Sequence, residues 1–114
     1  MRALGAEIIR TPTAVPSASP LSNLGMAKRL KEAIPNAVVL DQYGNPNNPL
    51  AHEFGTGLEI IAAIESLPGN QSVDVFIAGA GTGGTITGTA RALRKKYKDC
   101  TVVGVDPVCS AFCL

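Results

Sequence analysis

A run of glycine and threonine carries the clearest chemistry in the sequence: Gly79-Ala80-Gly81-Thr82-Gly83-Gly84-Thr85-Ile86-Thr87-Gly88. Five of these ten residues are glycine. The run follows an apolar, β-branched segment and precedes a helical pattern, so it reads as a strand-to-helix turn. Such a turn gathers unpaired backbone N–H groups and the positive end of a helix dipole at one point. Glycine lets the main chain approach an anion closely and adopt positive φ. Thr82 and Thr85 add hydroxyl donors. Together these predict a phosphate cradle; a turn without a ligand needs fewer glycines.

Spacing alone leaves the kind of phosphate open. Gly79, Gly81 and Gly84 satisfy G-x-G-x-x-G, and Asp106 ends the next strand, as in a dinucleotide-binding βαβ unit. A Walker A loop is excluded, because no Gly-Lys-Ser/Thr follows. A second polar stretch is Asp41-Gln42-Tyr43-Gly44-Asn45-Pro46-Asn47-Asn48-Pro49-Leu50-Ala51-His52. It follows an apolar run, and ligands of open α/β sheets sit beyond the carboxyl ends of strands. The Gln42 amide both donates and accepts, which suits a carboxylate. Tyr43 offers a ring and a hydroxyl. Taken alone, the Asn/Pro cluster also fits a plain turn ending in a helix cap. His52 reads as a structural residue at a helix start.

Strands and helices must hold these loops. Glu7 to Arg10 is a short candidate strand. Ser19 then Pro20 reads as an N-cap followed by proline at the first helical position. Leu24, Ala27, Leu30 and Ile34 continue that helix until Pro35-Asn36 stops it. Val38-Val39-Leu40 has the continuous apolar character of a strand buried on both faces. Asn48-Pro49 repeats the cap signal before a helical segment to about Leu67, with a break expected at Gly55 and Gly57. Val73 to Ala78 is a strand. Thr85 to Lys98 is a helix with Ile86, Ala90, Leu93 and Tyr97 on one stripe. Arg91, Arg94, Lys95, Lys96 and Lys98 crowd its C-terminal end, as a solvated face complementing the dipole. Thr101 to Val105 is the last strand. The order predicts an α/β fold: a parallel sheet with helices on both faces. Four short strands are few for that architecture, so the sequence reads as a piece of a larger domain.

Composition limits the alternatives. A chain of 114 residues holds one domain at most. A formal charge of +1 lacks the basic excess that nucleic-acid and membrane-surface binders use. No apolar run approaches a membrane span. Cys100, Cys109 and Cys113 form no CxxC and have no histidine nearby, so zinc is not expected, and the reducing cytosol is the expected compartment.

Five segments in colinear order make a more specific pattern. They are Arg2 to Thr13, Ile34-Pro35-Asn36, Asp41 to His52, Gly81 to Gly88, and Val103-Gly104-Val105-Asp106-Pro107. The chain resembles the cystathionine β-synthase and cysteine synthase family of fold-type II pyridoxal-phosphate enzymes, with a tryptophan synthase β-like fold. Asp41-Gln42-Tyr43 tilts the resemblance toward the cystathionine β-synthases. It implies pyridoxal 5′-phosphate as cofactor, with Gly81, Thr82, Gly83, Gly84 and Thr85 at its phosphate. Tyr43 falls beside the cofactor and Gln42 near the substrate carboxylate. The implied reaction replaces the hydroxyl of serine by the thiol of homocysteine, giving cystathionine, a step of transsulfuration and cysteine biosynthesis.

The same resemblance puts the family's Schiff-base lysine and carboxylate-gripping loop before residue 1. It puts the group facing the pyridine nitrogen after residue 114. Lys28, Lys31, Lys95, Lys96 and Lys98 do not stand in the lysine's motif, so no catalytic residue and no metal ligand is expected here. The haem-binding segment of some members and any paired regulatory domain are also missing. Residues 1–108 read as part of a catalytic domain and 109–114 as a divergent tail, in which Cys109 and Cys113 have no role. A truncated gene or a relic gives such a chain, and it is expected to be inactive alone. The parent enzyme is expected to be a cytoplasmic homodimer acting on small amino acids. The remaining alternative is a non-catalytic phosphate- or dinucleotide-binding Rossmann-like module.

Overall fold

Ser22 starts the first helix. Its Oγ accepts from the Gly25 N–H at 3.0 Å and donates to the Ser17 carbonyl at 2.8 Å. Both bonds are made by a residue only 3% exposed. The helix therefore begins one turn later than the Ser19-Pro20 signal predicts: α1 spans Asn23–Ala33. Ser19 instead accepts from the Leu21 N–H at 3.2 Å, closing the turn before the cap. The computed structural model describes residues 2–108. It divides into two units, Met1–Leu40 and Asp41–Leu114.

The first unit holds a 3-10 turn at Arg2–Leu4 and α1. Asn36, at φ 61°, ends the turn after α1 in the left-handed region. The expected strands at 7–10 and 38–40 do not form: the sheet of the described residues consists of two other strands. A strand is a ladder of bonds to a neighbour, and apolar content alone does not make one. Val38 and Leu40 stand 80% and 81% exposed, against the expected burial.

In the second unit, α2 (Asn47–Ala51) runs through a π-helical turn (His52–Thr56) into α3 (Gly57–Glu65). The break expected at Gly55 and Gly57 is that π turn, in which the Gly57 N–H reaches the His52 carbonyl. Then come β1 (Val75–Gly79), α4 (Gly84–Lys96) and β2 (Thr101–Val105). β1 and β2 pair in parallel, from Val75 against Thr101 to Gly79 against Val105. This is one crossover unit of an α/β fold. Phe76, Ala78 and Val102 are half-buried on one face. Ile86 Cδ1 comes within 3.6 Å of where a Cβ on Gly104 would lie, so α4 covers that face. Val75, Ile77, Val103 and Val105 form the other face and are exposed. Apolar residues on both faces are the composition of a parallel sheet.

Helix α4 buries Leu93 of the expected stripe most deeply, together with residues that the apolar pattern leaves out. Gly84, Gly88, Thr89, Ala92 and Leu93 are buried, while Ile86, Ala90 and Tyr97 are half-buried. Gly84, Gly88 and Ala92 recur every four residues, which puts them on one side of the helix. A methyl at Gly88 would overlap the Pro49 carbonyl, and one at Gly57 would overlap the Ala92 side chain. The two helical segments thus meet main chain to main chain. The π turn also buries Glu53, which takes Lys95 at 2.5 Å and Arg91 at 3.8 Å. Lys96 pairs with Glu65, and the Arg94 Nε donates to the Cys100 carbonyl at 3.3 Å. The basic cluster is exposed as expected, yet most of it is paired. Cys100 is buried and free. Residues 109–114, including Cys109 and Cys113, lie outside the described residues. No described helix is long and apolar enough to cross a membrane.

Candidate functional site

The Asp41–His52 stretch is shaped by its own short side chains. Asp41 takes φ 42°, its Oδ1 accepts from the Gly44 N–H at 3.2 Å, and its carbonyl accepts from the Asn45 N–H at 2.8 Å. Asn45 Oδ1 accepts from the Asn47 N–H at 3.0 Å. These side-chain turns bring Tyr43 and Gly44 back toward the start of α2.

The glycine run makes the opposite wall. Gly83 caps α4 in the left-handed conformation, at φ 80° and ψ −4°, which is why a glycine stands there. Among the described residues, no protein acceptor is paired with the backbone N–H groups from Gly81 to Ile86. A run of free amides at the start of a 13-residue helix is an anion site in form.

Asn48 joins the two walls. Its Nδ2 donates to the Gln42 carbonyl at 2.9 Å and to Thr82 Oγ1 at 2.8 Å. Gly84 leaves room for it, since a Cβ there would overlap the Asn48 amide. Between the walls is a cavity of about 240 Å³. Tyr43, Gly44, Asn45, Pro46, Asn48 and Pro49 line one side, and Thr82, Gly83, Gly84 and Thr87 the other. Complete small-molecule pockets run from roughly 300 to 1,000 Å³. The cavity is smaller than these.

The expected site residues thus divide. Tyr43, Thr82, Gly83 and Gly84 meet at the cavity. Gly81 lies on the open flank, where a Cβ would meet nothing within 4 Å. Gln42 contributes its backbone carbonyl to Asn48, and its side chain is exposed. Thr85 presents a free N–H, but its Oγ1 lies 3.1 Å from His52 Nε2. His52 Nδ1 lies 3.0 Å from Thr56 Oγ1, so the ring clasps the π turn to α4. Asn48 and Glu53 carry structural weight that their sequence positions did not announce. An asparagine before a proline looks like a cap, and a lone glutamate in a helix looks solvated. At the end of β2, Asp106 Oδ2 is buried with no hydrogen-bond partner among the described residues.

A profile described as "Pyridoxal-phosphate dependent enzyme" matches residues 1–113. The chain belongs to this family. Its relatives include the cystathionine beta-synthase of Dictyostelium discoideum, 51% identical over 94% of the chain, and that of Rattus norvegicus, 52% identical over the same share. A probable cysteine synthase of Bacillus subtilis is 40% identical over 94% of the chain. The chain spans about a fifth of the length of the two cystathionine beta-synthases (20% and 18%) and 33% of the third protein. Among solved structures, a hydrogen sulfide-producing enzyme from Fusobacterium nucleatum superposes with a TM-score of 0.81 at 30% identity. That match covers 96% of this chain and 32% of the other. The family is named for pyridoxal phosphate, not for the dinucleotide that G-x-G-x-x-G spacing also allows.

Proposed function

We propose that this chain holds the phosphate group of pyridoxal 5′-phosphate in an enzyme of the cystathionine β-synthase type. The observation that carries the reading is the cavity between the Tyr43 loop and the glycine run, lined by Thr82, Gly83 and Gly84 at the head of α4. The residues fit the group. Free N–H groups from Gly81 onward and the Thr82 hydroxyl supply donors, and the helix start supplies a positive potential. Tyr43 flanks the cofactor, and the Gln42 amide faces a substrate carboxylate. Bound pyridoxal phosphate supplies the electron sink for chemistry at an amino acid's α- and β-carbons. The reaction of the whole enzyme is replacement of serine's hydroxyl by the thiol of homocysteine, in a cytoplasmic homodimer. This chain's part in it is to bind and orient.

No lysine lines the cavity among the described residues. The chain alone is read as inactive: with pyridoxal phosphate, serine and homocysteine it is expected to form no cystathionine. The binding claim is tested by calorimetric titration with pyridoxine 5′-phosphate, which keeps the phosphate and lacks the aldehyde that reacts with surface lysines. Saturable binding, with none for pyridoxine and none for NAD, is the expected outcome. NAD binding in preference to pyridoxine 5′-phosphate would overturn the reading.

A further inference from the structure

Asn48 has a fixed orientation. Its Nδ2 lies 2.9 Å from the Gln42 carbonyl, and a carbonyl oxygen can only accept. The amide nitrogen, not the amide oxygen, must therefore face that group. The same nitrogen lies 2.8 Å from Thr82 Oγ1, so its second hydrogen is directed at the threonine oxygen. Thr82 is thereby an acceptor toward Asn48. A hydroxyl that accepts on one side keeps its single proton for another partner. Thr82 and Asn48 both line the cavity.

We infer that Asn48 is a positioning residue that sets the polarity of the Thr82 hydroxyl, making it a donor to the phosphate bound in the cavity. The inference rests on the proposed phosphate site and deepens it. Without Asn48, Thr82 is free to turn its proton to a protein carbonyl or water and present a lone pair to the anion. With Asn48, the wrong orientation costs a hydrogen bond. Donation from Thr82 to an anion also makes its oxygen a better acceptor for Asn48, because chained hydrogen bonds polarise one another. The same amide holds the Gln42 main chain, so the phosphate and the loop proposed to face substrate share one tie.

A double-mutant cycle on the 114-residue chain tests this, read as affinity for pyridoxine 5′-phosphate. Loss of one hydrogen bond to a charged group, in Thr82→Val, weakens binding about tenfold or somewhat more. Asn48→Ala in the unaltered background weakens it about threefold to tenfold. In the Thr82→Val background the inference expects Asn48→Ala to change affinity less than about twofold, since the hydroxyl it acts through is gone. An equal loss in both backgrounds would show a general loosening of the loop and overturn the inference, leaving the phosphate site intact. Absence of binding by the unaltered chain would overturn site and inference together. A second measurement needs no variant: the Asn48 side-chain NH₂ signal in a ¹⁵N–¹H spectrum. The proton bonded to Thr82 is expected to move downfield as pyridoxine 5′-phosphate saturates. A proton that stays in place under saturation overturns the inference even if Asn48→Ala fails to fold.

Discussion

Gly88→Ala separates local propensity from packing. In a helix interior, alanine in place of glycine is favourable by about 1 kcal/mol. Propensity alone therefore predicts a more stable protein. The structure predicts the reverse. The new methyl would overlap the Pro49 carbonyl and come to 2.8 Å from His52 Cβ and 2.9 Å from the Glu53 nitrogen. Two of those three atoms are main chain and cannot swing aside. Relief requires α4 to move away from α2 and the π turn. Overpacking of this kind costs about 3 kcal/mol, the upper end of the usual range. After the propensity gain is subtracted, the net loss is about 2 kcal/mol. Gly55→Ala is the matched control, since a Cβ at Gly55 meets nothing within 4 Å. It should gain up to about 1 kcal/mol. Urea unfolding followed by circular dichroism, with unchanged slope, gives both values. The Gly88 variant should also bind pyridoxine 5′-phosphate more weakly, because the movement opens the cavity. A Gly88→Ala chain at least as stable as the parent would refute the close helix contact.

Three further outcomes follow from particular contacts. Thr89 is fully buried and its hydroxyl has no partner among the described residues; Thr89→Val should stabilise by about 1 kcal/mol, measured as a rise in the urea midpoint. Ser22→Ala removes the N-cap of α1 and should cost about 1 kcal/mol, seen as faster amide exchange across Asn23–Ala33. Glu53→Gln weakens the ties to Lys95 and Arg91, whose side chains are 66% and 55% exposed. Screening holds that loss to about 1 kcal/mol or less, and the difference from the parent should shrink at high salt.

The parts of the fold visible in the sequence are those governed by local rules. β2 forms over the residues expected of it, Thr101–Val105, and β1 and α4 lie within two residues of their expected bounds. The glycine run is readable because free amides, positive φ and a helix start demand glycine and small hydroxyl residues at adjacent positions. Contacts between elements leave weaker traces. Val38-Val39-Leu40 reads as a buried strand because β-branched runs prefer one, but pairing depends on a neighbour that sequence does not locate. The apolar stripe of α4 marks the side that includes buried Leu93, but apolar periodicity ignores glycine and so leaves out Gly84 and Gly88, which pack most closely. Asn48 reads only as a cap because its partner lies 34 residues away, at Thr82. The cofactor proposed for the glycine run comes from the family resemblance; neither the glycine spacing nor the cavity names one alone.

The central claim is that the Tyr43 loop and the glycine run form one phosphate site. Amide chemical-shift mapping of the ¹⁵N-labelled chain during titration with pyridoxine 5′-phosphate tests it most directly. The expected result is saturable movement of the Gly81, Thr82, Gly83, Gly84 and Thr85 signals together with Tyr43 and Asn48. Movement confined to the basic end of α4 near Arg94, Lys95 and Lys96, or none at saturating ligand, would contradict it.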